Sequence, residues 1–105
     1  MIVVIFEVTM NDGKADAYFE LAASLRPALE TIDGFISNER FESTATPGRY
    51  VSLSTWRDEA AVAAWHAQPD HGLAQVRGKS EIIADFRIRV ASVLRDYSMA
   101  DRTDG

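Results

Sequence analysis

The chain opens with Met1-Ile-Val-Val-Ile-Phe-Glu-Val-Thr9, a run dominated by β-branched and other apolar side chains. This run is too short for a helix and is followed by the turn signal Asn11-Asp12-Gly13, so it predicts a first strand. Side chains alternate between the two faces of a strand, and here both sets are largely apolar. In an antiparallel sheet with one face in solvent, the side chains on that face are mostly polar. Since neither face of this strand is mostly polar, we expect both faces to be covered.

An amphipathic helix is predicted from Lys14 to Ile32, where apolar residues recur at three- and four-residue intervals. Asp12 is expected to cap the start of this helix, and Gly34 is expected to end it. Pro27 lies inside the predicted range. Because proline lacks the amide hydrogen that closes a helical turn, we expect a bend there.

Two further strands are predicted, from Phe35 to Ser43 and from Tyr50 to Trp56. The Pro47-Gly48 pair between them is a turn signal, so the two strands should form a hairpin. Asp58 is then expected to cap a short helix that ends before Pro69.

The last predicted elements are a helical piece from His71 towards Gly78 and a long strand from about Ile83 to Asp96. The resulting order, β-α-β-β-α-β, is that of the ferredoxin-like α+β fold, with a four-stranded antiparallel sheet and both helices on one face. We expect one domain over residues 1–97 and a polar, flexible tail over residues 98–105. Since the first strand is apolar on both faces, a homodimer with sheets packed face to face is predicted.

Composition excludes several classes of protein. The 105 residues suffice for one domain, and the absence of cysteine excludes disulfides, thiolate metal sites and cysteine nucleophiles. The formal net charge is −5 and the sequence contains no basic run, so a nucleic-acid partner is not expected. No apolar run reaches the length of a membrane span or has the layout of a secretory signal, which predicts a cytoplasmic protein without a membrane partner.

Two histidines, His66 and His71, are the candidate catalytic residues, because histidine accepts or releases a proton near neutral pH. Metal ligands on one helix favour a spacing of four residues, whereas these two lie five apart across Pro69. A metal site combining them with Asp70 is therefore not expected. Each histidine is either structural or placed at the mouth of a pocket, where it accepts a proton.

Other candidate residues have two interpretations each. Trp56 and Trp65 either fill the core or line a cavity and stack on a flat ligand. Glu7 interrupts an apolar strand, so it lies at the sheet margin or in a pocket where burial would raise the pKa of its carboxyl group. The arginines of the last strand, Arg89 among them, form a solvated row, interface salt bridges or a contact with a substrate anion.

The sequence lacks the glycine-rich dinucleotide motif, the phosphate loop, the serine-hydrolase elbow and the zinc-protease motif. An enzyme built on this chain is therefore expected to use a small apolar cavity without a cofactor bound through such a motif.

Three strings resemble the antibiotic biosynthesis monooxygenase domain family. They are Gly34-Phe-Ile-Ser-Asn-Glu-Arg-Phe-Glu-Ser43, Tyr50-Val-Ser-Leu-Ser-Thr-Trp-Arg-Asp-Glu-Ala-Ala-Val62, and Trp65-His66 with Pro69-Asp-His71. The resemblance extends over about residues 1–97. It implies a dimeric α+β barrel, often with C-terminal strands that reach across to the partner.

The resemblance also implies a chemistry. Members of this family oxidise anthrone- or quinol-type aromatic compounds with molecular oxygen and without metal or flavin. Trp56 matches a tryptophan that these members carry in the same strand. Ser52 stands where they have a pocket asparagine and Val62 where they have a tyrosine, so the resemblance leaves the substrate open.

A second branch of the family binds and degrades haem. Its asparagine, tryptophan and ligand histidine correspond to Glu7, Trp65 and Gln75, so only the tryptophan matches. We expect no bound cofactor. Haem bound by His66 or His71 is the alternative.

The sequence thus predicts a cofactor-independent monooxygenase that oxidises a small aromatic or phenolic molecule. The alternatives are a non-catalytic dimeric module that binds a small hydrophobic ligand, and an isomerase or lyase on the same fold. The candidate substrate-binding residues are Trp56, Trp65, Glu7, Ser52 and Arg89.

Overall fold

The computed structural model of the protein describes residues 1–68 and 82–102. In chain order, its helices and longer strands are β1 (Ile2–Met10), α1 (Ala15–Glu30), β2 (Phe35–Glu42), β3 (Arg49–Trp56), α2 (Glu59–His66) and β4 (Ile83–Ser92). The strands form one antiparallel sheet in the order β2-β3-β1-β4. This topology confirms the predicted ferredoxin-like α+β fold.

Strand β1 lies inside the sheet, between β3 and β4, which explains why so little of its sequence is polar. The pairing places Val4 beside Ser54 and Phe6 beside Ser52. Even-numbered residues of β1 therefore share one face with these serines, and the odd-numbered residues occupy the opposite face. We call the opposite face the bare face, because α1 and α2 do not pack on it.

The helices pack on the even-numbered face of β1 through two clusters of buried residues. One cluster joins both helices and their flanks to the sheet and consists of Ile2, Leu29, Ile32, Trp56, Ala61 and Val62. The other lies towards the opposite end of β1 and consists of Val8, Met10, Tyr18 and Ile82. Both helices therefore cover the same side of the sheet, as predicted.

Helix α1 differs from its prediction at the start. Its N-cap is Lys14, which makes no capping hydrogen bond through its side chain, so the prediction that Asp12 caps this helix is wrong. The turn explains the difference: the Lys14 amide donates to the Asn11 carbonyl, and Gly13 has a φ of 73°. This turn separates Asp12 from the first helical residue. The helix continues through Pro27 to Glu30, two residues short of the predicted end.

The hairpin and the short helix after it confirm the prediction. The Ser43 amide donates to the Arg49 carbonyl across the β2–β3 turn, where Gly48 has a φ of 81°. Asp58 caps α2, because its Oδ1 accepts a hydrogen bond of 2.9 Å from the Ala61 amide. That bond satisfies one of the free amides at the start of the helix.

Strand β4 ends at Ser92, so the prediction of a strand reaching Asp96 is wrong. The cause is its neighbour: Ser92 pairs with Ile2, and the Val93 amide donates to the Met1 carbonyl. Ile2 is the first residue of β1, so the pairing of the two strands ends at Ser92. Within the predicted tail, Ala100–Arg102 forms a short 3-10 helix. The helical piece predicted over residues 71–78 lies outside the described residues.

Gly34 connects α1 to β2 at a place where a side chain does not fit. Its φ is 97°, and a Cβ atom built there would lie 2.7 Å from the Cβ of Ala61. Gly48 also has a positive φ but has no atom within 4 Å of such a Cβ. Gly34 therefore combines two constraints, backbone conformation and close packing, whereas Gly48 has only the first.

Substitution of these two glycines should separate the two constraints. We expect Gly48→Ala to lower the free energy of unfolding by about 1 kcal/mol and Gly34→Ala to lower it by about 2–4 kcal/mol, because overpacking adds to backbone strain. Urea denaturation of both variants measures the difference. Equal losses would show that α2 shifts away from Gly34 without cost.

Candidate active site

A cavity of about 180 Å³ lies between the sheet and the two helices. Residues from both clusters of buried residues line it, so it separates two parts of the core. Most of its wall is apolar, and α1 contributes more lining residues than any other element. The apolar side chains include Val4, Phe6, Leu21, Leu25, Leu29 and Ile88.

Trp56 forms part of the cavity wall at the end of β3 and is held there by three contacts. Its side chain is 1% exposed, and its ring centroid lies 5.4 Å from that of Phe35 and 6.5 Å from that of Trp65. The indole Nε1 donates a hydrogen bond of 2.9 Å to Ser54 Oγ. A buried indole with its N–H satisfied is a rigid apolar part of the wall.

Helix α2 brings Trp65 and His66 to the same cavity. Ala61 and Val62 are buried on the side of α2 that faces the sheet, and Trp65 lies one turn further on, half-buried. His66 is exposed at the end of the helix, which puts its imidazole at the cavity mouth. Ser52 of β3 lines the cavity too.

Two of the predicted substrate-binding residues lie elsewhere. Glu7 is on the bare face, where Oε2 accepts a 2.7 Å hydrogen bond from Arg49 and Oε1 accepts one of 2.7 Å from Arg89. The pKa of the Glu7 carboxyl group is lowered, chiefly by the hydrogen bond from Arg49 and also by the charges of both arginines. Burial raises this pKa, but by less than the arginines together lower it. The pKa rise expected for a pocket carboxylate is therefore not found. Neither Glu7 nor Arg89 lines the cavity.

His71, the second candidate base, lies outside the described residues. The structure therefore brings together Trp56, Trp65, Ser52 and His66 around one cavity and leaves Glu7 and Arg89 on the opposite face of the sheet.

The structure adds polar residues that the sequence analysis did not select. Asn38 and Arg40 of β2, Arg26 and Tyr18 of α1 all line the cavity. Asn38 Nδ2 donates a 3.0 Å hydrogen bond to Ser52 Oγ. The register between β2 and β3 shifts between Phe35 and Ser37, and this irregularity turns Asn38 and Arg40 towards the cavity.

Tyr18 is the buried phenol of the site, 7% exposed. Burial raises the pKa of its hydroxyl group above the ordinary value of 10.0, and the nearby charge of Arg40 and a hydrogen bond from it oppose the rise. Tyr18 is therefore a neutral phenol at neutral pH, able to donate a hydrogen bond but not to act as a base.

Within residues 1–68 and 82–102, no cluster of three or more histidine or acidic side chains is arranged to hold a metal ion. Neither α-helix in those ranges has the length and apolar character needed to cross a membrane.

The fold and the cavity define a small ferredoxin-like α+β domain with a ligand-sized space between its sheet and helices. The chain belongs to the antibiotic biosynthesis monooxygenase family, whose sequence profile matches residues 1–77. A jasmonate monooxygenase of Pyricularia oryzae is 42% identical to it over 93 residues, which is 89% of this chain and 43% of that protein. The chain thus spans less than half the length of this relative.

Solved structures share the fold at lower identity. A Shewanella oneidensis protein has 23% identity and a TM-score of 0.78, with 86% of this chain and 87% of the other covered. A candidate antibiotic biosynthesis monooxygenase from Deinococcus radiodurans has 17% identity and a TM-score of 0.82, with 94% and 98% covered. A Mycobacterium tuberculosis protein has 18% identity and a TM-score of 0.81, with 92% and 98% covered.

Proposed function

We propose that the cavity binds a small aromatic or phenolic molecule, of the anthrone or quinol type, and that the protein oxidises this molecule with molecular oxygen and no bound cofactor. The observation that carries the proposal is the cavity itself, in which Trp56 and Trp65 form part of an apolar wall and His66 stands at the mouth. Membership of a monooxygenase family and the 42% identity to a jasmonate monooxygenase support oxygen chemistry.

The proposed reaction balances without an external reductant. A base takes one proton from an electron-rich CH2 group flanked by aromatic rings, and the resulting carbanion, delocalised as a phenolate, transfers one electron to O2. The two radicals combine to a hydroperoxide, which loses water and leaves a carbonyl group. The net change is CH2 + O2 → C=O + H2O, so the substrate supplies all of the electrons.

The described residues suit three parts of this reaction. The apolar wall excludes water from the reacting anion, which strengthens the interaction of that anion with nearby donors. The indole surface of Trp56 orients a flat ring system, and the His66 imidazole accepts the proton at the cavity mouth.

Oxygen consumption tests the proposal. Metal-stripped protein is mixed with a panel of anthrones, quinols and catechols in an oxygen electrode, with boiled protein as the control. We expect catalytic oxygen uptake with at least one compound and a carbonyl product that carries one atom of ¹⁸O from labelled O2. A ligand that raises the melting temperature without any oxygen uptake across the panel would instead identify a binding module.

Jasmonate is a second compound to test, because the Pyricularia oryzae relative is named for it. Its binding is measured by the melting temperature of the protein, which should rise when jasmonate occupies the cavity.

We also propose that the protein is a homodimer in which the bare faces of two sheets pack together. The register places Val3, Ile5, Val51 and Leu53 on this face, which neither described helix covers. Beyond β4, Leu94 is 90% exposed, an apolar side chain suited to contact with a second copy. Such a contact is compatible with exchange of C-terminal strands between the copies.

Light scattering tests the dimer, with an expected mass of twice 11.6 kDa. Ile5→Lys should yield monomers, because it places a charge in the proposed interface. Ser24→Lys adds the same charge on the exposed side of α1 and should leave the dimer intact. A wild-type protein of 11.6 kDa at micromolar concentration would contradict the proposal.

A further inference from the structure

Arg40 has a buried donor without an acceptor. Its Nε atom is buried and makes no hydrogen bond within the described part of the chain. The guanidinium carbon lies 5.7 Å from the centroid of the Tyr18 ring, and the residue forms part of the cavity wall. A buried N–H of a permanent cation costs free energy when it has no partner, so a ligand oxygen at this position would relieve that cost.

Four other arginines of the described residues are paired with carboxylates. Arg26 binds Glu30 at 2.7 Å and Arg57 binds Asp33 at 3.1 Å, while Glu7 holds both Arg49 and Arg89. No described carboxylate lies within 4.0 Å of the Arg40 guanidinium. Arg40 is thus a cation in the cavity wall whose charge the described acidic residues do not compensate.

The neighbours of Arg40 are not free to take over its role. Asn38 is two residues away on the same strand and also lines the cavity. Its Nδ2 donates 3.0 Å to Ser52 Oγ and 3.4 Å to the Leu53 carbonyl, so the amide is bound within the sheet. Tyr18 covers the guanidinium from the helix side. Arg40 also donates a hydrogen bond to the Tyr18 hydroxyl group, so Nε is the donor of this side chain that has no acceptor within the described residues.

We propose that Arg40 anchors a carboxylate group of the substrate, while the apolar remainder of the molecule fills the cavity between Arg40 and Trp56. The inference rests on the proposed function and adds a substrate class to it: a small aromatic acid. A carboxylate is the group that fits, because its two oxygens accept from Nε and Nη of a guanidinium side by side. A single phenolate oxygen uses only one of those donors.

Binding in the absence of oxygen tests this proposal separately from turnover. The probes are 1-naphthoate and its neutral counterpart 1-naphthamide, titrated into the protein by anaerobic calorimetry. We expect wild-type protein to bind naphthoate about tenfold or more tightly than naphthamide, since a hydrogen bond to a charged group replaces a neutral one. Equal affinities would overturn the proposal.

Arg40→Gln should remove the preference for naphthoate and leave the affinity for naphthamide within about twofold of wild type. Arg87→Gln is the matched control, because the register places Arg87 on the bare face beside Glu7, and it should keep the preference. If Arg40→Gln does not fold, Arg40→Lys, which keeps the charge but loses the paired donors, should reduce the preference several-fold. A preference that survives in the folded Arg40 variants would overturn the assignment.

The two proposals fail in different ways. A carboxylate preference that depends on Arg40, together with no oxygen uptake for any aromatic acid, would leave the anchor intact and remove the oxygenase. Oxygen uptake that is equal for acids and for their amides would keep the oxygenase and remove the anchor.

Discussion

Replacement of Trp56 by alanine is expected to lower the free energy of unfolding by about 3–5 kcal/mol, the range for truncating a fully buried aromatic residue. Trp56 is 1% exposed and packs against Phe35 and Trp65, so its removal leaves a hole that these neighbours cannot close. The loss also leaves Ser54 without the indole donor. Urea denaturation at neutral pH measures the change.

Trp65→Ala is the matched control for this prediction. It removes the same side chain from the same cavity wall, but Trp65 is only half-buried, so we expect a loss of about 1–2 kcal/mol. If Trp56→Ala loses no more than Trp65→Ala, then Trp56 is not the packing centre of this end of the core. Both variants should weaken binding of aromatic probes, because each removes part of the cavity wall.

The fold was largely predictable from local patterns. The apolar run of β1, the periodic spacing in α1 and the Pro47-Gly48 turn each contain their own signal within a few residues. The end of β4 has no such signal. The strand ends at Ser92, opposite Ile2, which is the first residue of β1. Where a strand ends opposite the end of a neighbouring strand, its length depends on tertiary structure and is not visible in the local sequence pattern.

The cavity wall shows the same limit. Phe35 and Phe41 are spaced as if they shared one face of β2, which would place Asn38 and Arg40 on the other face, in solvent. The register shift between Phe35 and Ser37 reverses the alternation, so Asn38 and Arg40 line the cavity and Phe41 is 47% exposed. One extra residue in a strand moves all of the following side chains to the opposite face. Since the sequence has no signal for this bulge, the position of Asn38 and Arg40 in the cavity wall could not be predicted.

The tryptophans and His66 were easier to find, because residue type alone suggested them. A buried indole is suited to two roles, core and cavity wall, and Trp56 fills both at once. The alternation along β1 placed Glu7 on the same face as Val3 and Ile5, but both faces are apolar in sequence, so the pattern did not show which face holds the cavity. The two arginines that hold the Glu7 carboxylate come from β3 and β4, which are distant in sequence.

Replacement of His66 by alanine is expected to reduce oxygen uptake by about 100-fold, the scale of losing a positioned general base. The residue lines the cavity mouth and its side chain is exposed, so the variant should fold with an unchanged melting temperature. The loss should fall on kcat, with KM nearly unchanged, because proton removal belongs to the transition state rather than to substrate binding.

Two further variants make this prediction specific to the proton. His66→Gln keeps a polar side chain of similar size, but a glutamine amide does not accept a proton near neutral pH. This variant should therefore lose activity as His66→Ala does. His71→Ala tests the other candidate base and should retain uptake if His66 is the acceptor. Activity that survives in His66→Ala and disappears in His71→Ala would move the base to His71. Activity that survives in the double variant would show that substrate loses its proton without either histidine. The family's oxygen chemistry would then depend here on the apolar wall and on the stabilisation of the anion.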